Sequence, residues 1–319
     1  MTANGISVIV PTIGRPESLL ALLDSLAAQS RKPDEVIVSD GSPGEEVARV
    51  VAQPIWTSRG LNVKRISVQP PNAVSQRVAA IAESRGEYLL MLDDDMVLEP
   101  DCVEQMVGAL TADKGIVGAV ADFNNQSWPK PTRAWRWYMR FGLGMPEGSW
   151  QGKVVGPLLR FGYNPLPRGV SPMAWLSTCN TLVRRSAYDQ AGGFSDFFLR
   201  RSTINEDVDL GLKISKVGSI VFCPSARMAH CHAPGGRVSP RVAAEDDLYN
   251  RYRILHRTQG RSAAGAFGLV LLFFSLETAS NFAGCVRRGR SNGFGARLIG
   301  RLSAMTKILK LMLSRGADA

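Results

Sequence analysis

Acid is all but missing from the last fifth of this chain. Residues 251–319 hold only Glu277 and Asp318 against twelve Lys and Arg, whereas residues 1–250 carry 26 of each sign, so the tail supplies the entire net charge of +10. A uniformly basic body is excluded, and any pull on lipid headgroups or nucleic acid is localised to the tail. Cysteine is scarce too: Cys102, Cys179, Cys223, Cys231 and Cys285 are odd in number and form no CxxC pair. That argues against a disulfide framework, and a reduced, cytosolic compartment is expected. The amino terminus has no basic leader, and its apolar run over residues 6–10 is too short for a signal peptide. Neither internal repeats nor low-complexity segments occur.

What is present is alternation. With 45% hydrophobic residues, 319 residues suffice for one large core, so one catalytic domain with an appendage is expected. Residues 6–10 read as a buried strand, and Pro16 opens an amphipathic helix carrying Leu19, Leu20, Leu22, Leu23 and Leu26. Strands follow over residues 35–39, 63–68, 88–92 and 116–120, with helices over 72–84 and 100–110. This order predicts a mainly parallel sheet covered on both faces, whose ligands bind beyond the strand ends, where Thr12, Asp40 and Asp93 to Asp95 fall. Residues 123–172 break the pattern with Gly, Pro and four of the six tryptophans and read as an insertion. Beyond it, a helix is expected through 207–217 and a strand over 219–223.

Asp93-Asp94-Asp95 places three repelling carboxylates directly after an apolar strand. Hard oxygens so clustered suit Mg2+ or Mn2+ bridged to phosphate. The alternative is a solvated acidic turn capping the next helix. Glu206-Asp207 precedes Leu210, Leu212 and Ile214 and reads by itself as an acidic N-terminal helix cap. His230 and His232 stand in Ala-His-Cys-His-Ala-Pro-Gly-Gly and read either as histidines that satisfy local backbone groups or as a zinc site with Cys223 and Cys231, whose spacing matches no usual finger.

Taken in order, these motifs resemble glycosyltransferase family 2 across roughly residues 5–235. SVIVPTIGRPESLLALLDSLAAQS is similar to the family's first strand and helix, and VIVSDGSP to the second-strand motif, with Ser39 where the family more often has Asp. Asn72 to Arg77 is similar to the helix before the acidic strand, with Val78 in place of the usual Asn. EYLLMLDDDMVLEPD resembles the DxD segment, and the stretch from STCNTLVRRSAYDQAGGF to Asn205-Glu206-Asp207 resembles the acceptor half.

The resemblance implies a GT-A fold and an inverting, metal-dependent transfer from a nucleotide-diphosphate sugar (UDP- or dTDP-linked) to a cell-surface polysaccharide or lipid-linked glycan. It implies that Asp207 is the general base taking the proton of the acceptor hydroxyl, with Glu206 beside it, and that His230, in preference to His232, approaches the metal or diphosphate. Pro11, Thr12, Arg15, Asp40, Arg77, Asp93, Asp94 and Arg237 would contact the donor, and Asp95, Asp93 and His230 the Mn2+ or Mg2+. The expected domains are 1–250, catalytic, and 251–319, a basic helical tail. The first divides into a nucleotide-sugar half at 1–122, the insertion at 123–172 and an acceptor half at 173–250.

In the tail, residues 263–276 are almost wholly apolar but short of the about twenty that span a bilayer, so a buried or interfacial helix is expected. Leu298, Leu302, Met305, Leu309 and Met312 form the stripe of a basic amphipathic helix suited to an anionic membrane or, alternatively, to packing on the catalytic domain or a homodimer partner. Residues 249–257 bridge body and tail. Location at the inner face of the cell membrane follows. The Trp and Arg cluster of residues 128–150 offers rings for sugars and cations for phosphates, a membrane-resting surface, or ordinary packing. Two other classes compete. A sugar nucleotidyltransferase would need a Gly-rich basic loop after the first strand, which residues 11–15 match poorly. A nucleic-acid-binding protein would act through the tail alone, and none is expected as a partner.

Overall fold

The computed structural model describes residues 5–126, 133–146, 148–150, 153–162, 169–199, 203–233, 238–289, 291 and 293–316. In chain order the strands are β1 Ile6–Thr12, β2 Glu35–Asp40, β3 Val63–Ser67, β4 Tyr88–Leu92, β5 Met96–Leu98, β6 Ile116–Phe123, β7 Lys153–Val155, β8 Arg160–Gly162, β9 Ser171–Met173, β10 Asn180–Arg184 and β11 Ser219–His230. The helices are α1 Pro16–Ala27, α2 Glu46–Val51, α3 Ile55–Ser58, α4 Ala73–Glu83, α5 Cys102–Thr111, α6 Arg133–Trp137, α7 Arg185–Gln190, α8 Glu206–Ile214, α9 Pro240–Arg253, α10 Ala263–Arg288 and α11 Phe294–Gly316. They divide into two compact units, one of residues 1–154 and 161–235, the other of 155–160 and 236–319.

The first unit is built on a nine-stranded sheet in the order β3-β2-β1-β4-β10-β6-β11-β5, with β9 also paired to β11. β1 and β4 are buried along their whole length and apolar but for Ser7 and Thr12, as interior strands of a two-face-covered sheet must largely be. β1, β2, β3 and β4 run parallel, with Thr12 beside Asp40. The crossovers are helical: Pro16 starts α1, which buries Leu19, Leu22, Leu23 and Leu26. Asn72 caps α4 by accepting from the backbone N–H groups of Val74 and Ser75.

The remainder brings antiparallel members into this mainly parallel sheet. β10 lies antiparallel between β4 and β6, with Asn180 opposite Leu92. Strand–helix alternation predicts parallel neighbours only where a helix makes the crossover, and β10 is reached through the insertion instead. β11 is twelve residues long, not the five of 219–223, because the strand passes Pro224 with a register shift between Cys223 and Arg227 and continues to His230. There it pairs with β5, His230 opposite Met96. The acidic triplet therefore turns from β4 directly into another strand and caps no helix; α5 begins only at Cys102.

In the second unit α9 and α11 pack closely. Gly300 approaches the carbonyl of Arg241 so tightly that a Cβ there would collide with it. Arg301, Ala304 and Ile308 form the buried face of α11, while Ile299, Leu302, Leu309 and Leu313 are exposed. α10 runs 26 residues without a break at Glu277, which ion-pairs with Arg301 and accepts from Asn281. It is thus longer than its apolar run of 263–276, and by length and composition alone it could cross a membrane. Leu271, Leu272, Leu276, Phe282 and Val286 are exposed along it.

Candidate active site

The three triplet carboxylates point in different directions. Asp94 is buried and turns back toward the loop after β1, accepting from Thr12 Oγ1 at 2.7 Å and from Arg15 at 3.2 Å. Burial pushes its carboxyl up to about 6 despite the Thr12 hydrogen bond and the Arg15 charge. Asp93 is about one-third exposed and pairs with Arg77. Asp95 turns toward β11: its Oδ2 accepts from the N–H of Ala233 at 2.9 Å, its carbonyl accepts from the N–H of Cys231, and its Oδ1 faces Nε2 of His230 at 3.4 Å. Burial would raise the Asp95 carboxyl, but the contacts with His230 and Ala233 outweigh it and hold the carboxyl below the usual aspartate range.

A divalent cation is implied by the fold. Asp95 Oδ1 is buried without a hydrogen bond, and an imidazole nitrogen converges on it. A hard carboxylate oxygen and an imidazole beside it fit Mn2+ or Mg2+. Among the described residues no cluster of three or more His, Cys, Asp or Glu is already gathered as ligands, so phosphate oxygens and water would complete the shell.

Arg77 lies beneath this surface. Its side chain is 3% exposed and stands between Asp93 and Glu206, whose Oε1 is 3.7 Å from Nη1. Glu206 and Asp207 open α8 after Asn205, which takes a left-handed conformation. Burial raises both carboxyls, that of Glu206 further through Asp207, while Arg77 opposes both shifts. Asp40 is buried at the end of β2 with Arg65 on one oxygen and the N–H of Ser42 on the other. Pro11 and Thr12 end β1, and Gln76 ties the Thr12 carbonyl to that of Ser39. Arg237 lies outside the described residues, as do Gly235 and Gly236.

A cavity of about 250 Å³ joins the two halves of the site, with Asp207 and His230 both on its wall beside Asp122, Gln126, Trp175 and Phe222. Motif reading passed over several of these residues. Asn125 clamps the backbone of His230 through two hydrogen bonds of 3.0 Å. Gln126 Nε2 lies 3.2 Å from His230 Nδ1 and 3.3 Å from His232 Nε2. Burial raises the Asp122 carboxyl. The signal available was positional: Asp122 sits among the last residues of β6 and Asn125 and Gln126 just beyond it, where ligands of such sheets bind.

An acidic strand end facing a helix-borne carboxylate pair across a mixed sheet places the chain among the GT-A glycosyltransferases. Residues 7–190 match the family described as Glycosyl transferase family 2, and the chain belongs to that family. Over 260 residues it is 30% identical to the O-antigen biosynthesis protein RfbC of Myxococcus xanthus, spanning 76% of this chain but 18% of that protein. It is 25% identical to N-acetylglucosaminyl-diphospho-decaprenol L-rhamnosyltransferase of Mycobacterium tuberculosis, over 74% of this chain and 80% of that one. The mannosyltransferase PcManGT of Pyrobaculum calidifontis, solved with GDP-Man and Mn2+, shares the fold at a TM-score of 0.54 and 14% identity, over 95% of this chain and 86% of that one.

Proposed function

We propose that this glycosyltransferase moves a sugar from a UDP- or dTDP-linked donor, with inversion, to a lipid-linked or cell-surface glycan at the inner face of the membrane. The observation that carries the reading is the shared cavity: Asp207 and His230 open onto one space, with Asp95 Oδ1 3.4 Å behind His230 Nε2. The acceptor hydroxyl enters beside Trp175 and Asp122, and Asp207 takes its proton as the oxygen attacks the anomeric carbon. Arg77 holds Glu206 and Asp93 in place from below. Pro11, Thr12, Asp40 and Asp93 border the nucleoside, with Arg15 and Asp94 toward the diphosphate, and Arg237, outside the described residues, would contact the diphosphate as well. Mn2+ or Mg2+ held by Asp95 and His230, with Asp93 nearby, would offset charge on the leaving diphosphate. The names of the Myxococcus and Mycobacterium relatives support a polysaccharide or lipid-linked acceptor. The exposed apolar residues of α10 and α11, set among the tail's basic side chains, support membrane contact.

The test mixes the protein, Mn2+ and a donor panel with acceptor extract and measures free nucleoside diphosphate. Release that depends on Asp207 and Asp95 supports the reading, and full turnover in both Asp207→Asn and Asp95→Ala would overturn the roles.

A further inference from the structure

One amide meets two histidines beside the acidic turn. Asn125 and Gln126 follow closely on β6. Asn125 fixes the backbone of His230, its Nδ2 donating to the His230 carbonyl and its Oδ1 accepting from the His230 N–H, each at 3.0 Å. Gln126 takes the ring: its Nε2 lies 3.2 Å from Nδ1 of His230 and 3.3 Å from Nε2 of His232. The two imidazoles stand with centroids 4.0 Å apart, and His232 takes a left-handed backbone with φ of 49°. A side-chain-bearing residue adopts that conformation at a cost, which the surrounding contacts must offset. Asp95 holds the same turn from the other side, its carbonyl accepting from the N–H of Cys231 and its Oδ2 from that of Ala233 at 2.9 Å.

A neutral imidazole carries one ring hydrogen, and its position decides what the ring can bind. An amide nitrogen has hydrogens to give and no lone pair to offer, so with Nε2 of Gln126 facing it, Nδ1 of His230 accepts. The ring hydrogen then sits on Nε2, which faces Oδ1 of Asp95 at 3.4 Å. In that tautomer Nε2 has no lone pair for a cation. Half a turn of the Gln126 amide presents Oε1 instead, which accepts from a hydrogen on Nδ1 and frees the Nε2 lone pair beside Asp95. The turned amide asks for a hydrogen on the facing nitrogen of each histidine, and each neutral ring can supply one.

We infer that Gln126 is a positioning residue that sets the tautomer of His230: one orientation of its amide latches the ring to Asp95, and the other opens Nε2 to the cation. This deepens the proposed function and rests on its metal corner of Asp95 and His230. Histidines that ligate metals bind through one nitrogen while a second group holds the other, and loss of that group costs about 10- to 100-fold in metal affinity.

The test reads the metal-free protein first. Nitrogen-15 shifts of the His230 ring, assigned by their loss in His230→Ala, are recorded for the full chain in EDTA at alkaline pH. Wild type carries the hydrogen on Nε2, and Gln126→Glu, which can only accept, moves it to Nδ1. Mn2+ uptake in the presence of UDP is then followed by loss of the free-ion electron paramagnetic resonance signal. Gln126→Met, of similar length but without a hydrogen bond, weakens uptake by about 10-fold or more. Asn125→Ala, which loosens the same histidine through its backbone, leaves the hydrogen on Nε2. Thermal unfolding of each variant shows that it is folded. The same tautomer in wild type and Gln126→Glu overturns the inference, as does unchanged Mn2+ affinity in Gln126→Met. A tautomer change in Asn125→Ala equal to that in Gln126→Glu overturns it too, since any loosening of His230 would then suffice. Wild type that takes up no Mn2+ counts against the proposed metal corner, and the comparison in EDTA still decides whether Gln126 sets the tautomer.

Discussion

Nε2 of His230 stands 3.4 Å from Oδ1 of Asp95, so the turn after β4 and the far end of β11 meet at one point. If this pair grips the cation, His230→Ala lowers metal affinity by about 10- to 100-fold, read as a shift in the Mn2+ dependence of donor-induced melting. Asp95→Ala removes the carboxylate itself and lowers kcat by about 100-fold or more. An unchanged Mn2+ dependence in both variants would remove the metal from this corner.

Asp207→Asn keeps the shape of the wall but no longer accepts a proton. Turnover drops by about 100- to 10,000-fold with donor binding retained, measured as nucleoside diphosphate release against donor thermal shift. The sign of the pH effect follows from burial. A base works when deprotonated, and the Asp207 carboxyl is raised, so the wild-type rate falls on acidification at a pH above the ordinary aspartate range. A rate flat down to pH 4 would contradict it.

Asp94 governs a pH dependence of stability. Its folded pKa of about 6 exceeds the ordinary 3.8, so the folded state binds more protons between those values and stability falls as pH rises through that window. The difference of about two units corresponds to about 3 kcal/mol lost between pH 4 and 7. In EDTA, Asp94→Asn flattens the melting curve against pH and melts higher than wild type at pH 7.5. Parallel pH profiles would refute the assignment.

Gly300→Ala is a purely structural probe. Its Cβ meets the Arg241 carbonyl, and overpacking of that kind costs about 1–3 kcal/mol. Denaturant unfolding should register this loss in the second unit while donor binding persists.

Much of the parallel half was legible because its strands are rich in β-branched and apolar residues and its helices show a clean period, as in Leu19, Leu22, Leu23 and Leu26. β10 was not, since Asn180 and Thr181 are buried polar residues and nothing local marks the strand as antiparallel. Nor was β5, only three residues long, or the stretch of β11 beyond Pro224. At the site, the ordered acids and histidines stood out by type and order. Their orientations did not: that Asp94 faces Thr12, or that Arg77 sits buried under two carboxylates, depends on residues 82 and 129 positions distant. Asp122 and Gln126 belong to no motif and become visible only once β6 ends beside His230.

One buried guanidinium, that of Arg77, is divided between Asp93 and Glu206. A cation shared in this way is a thermodynamic link. Whatever draws Asp93 toward a donor leaves more of the guanidinium to Glu206, and the reverse holds by the same free energy. The two substrates would then sense each other's arrival without touching, and the order in which they bind becomes a property of a single arginine.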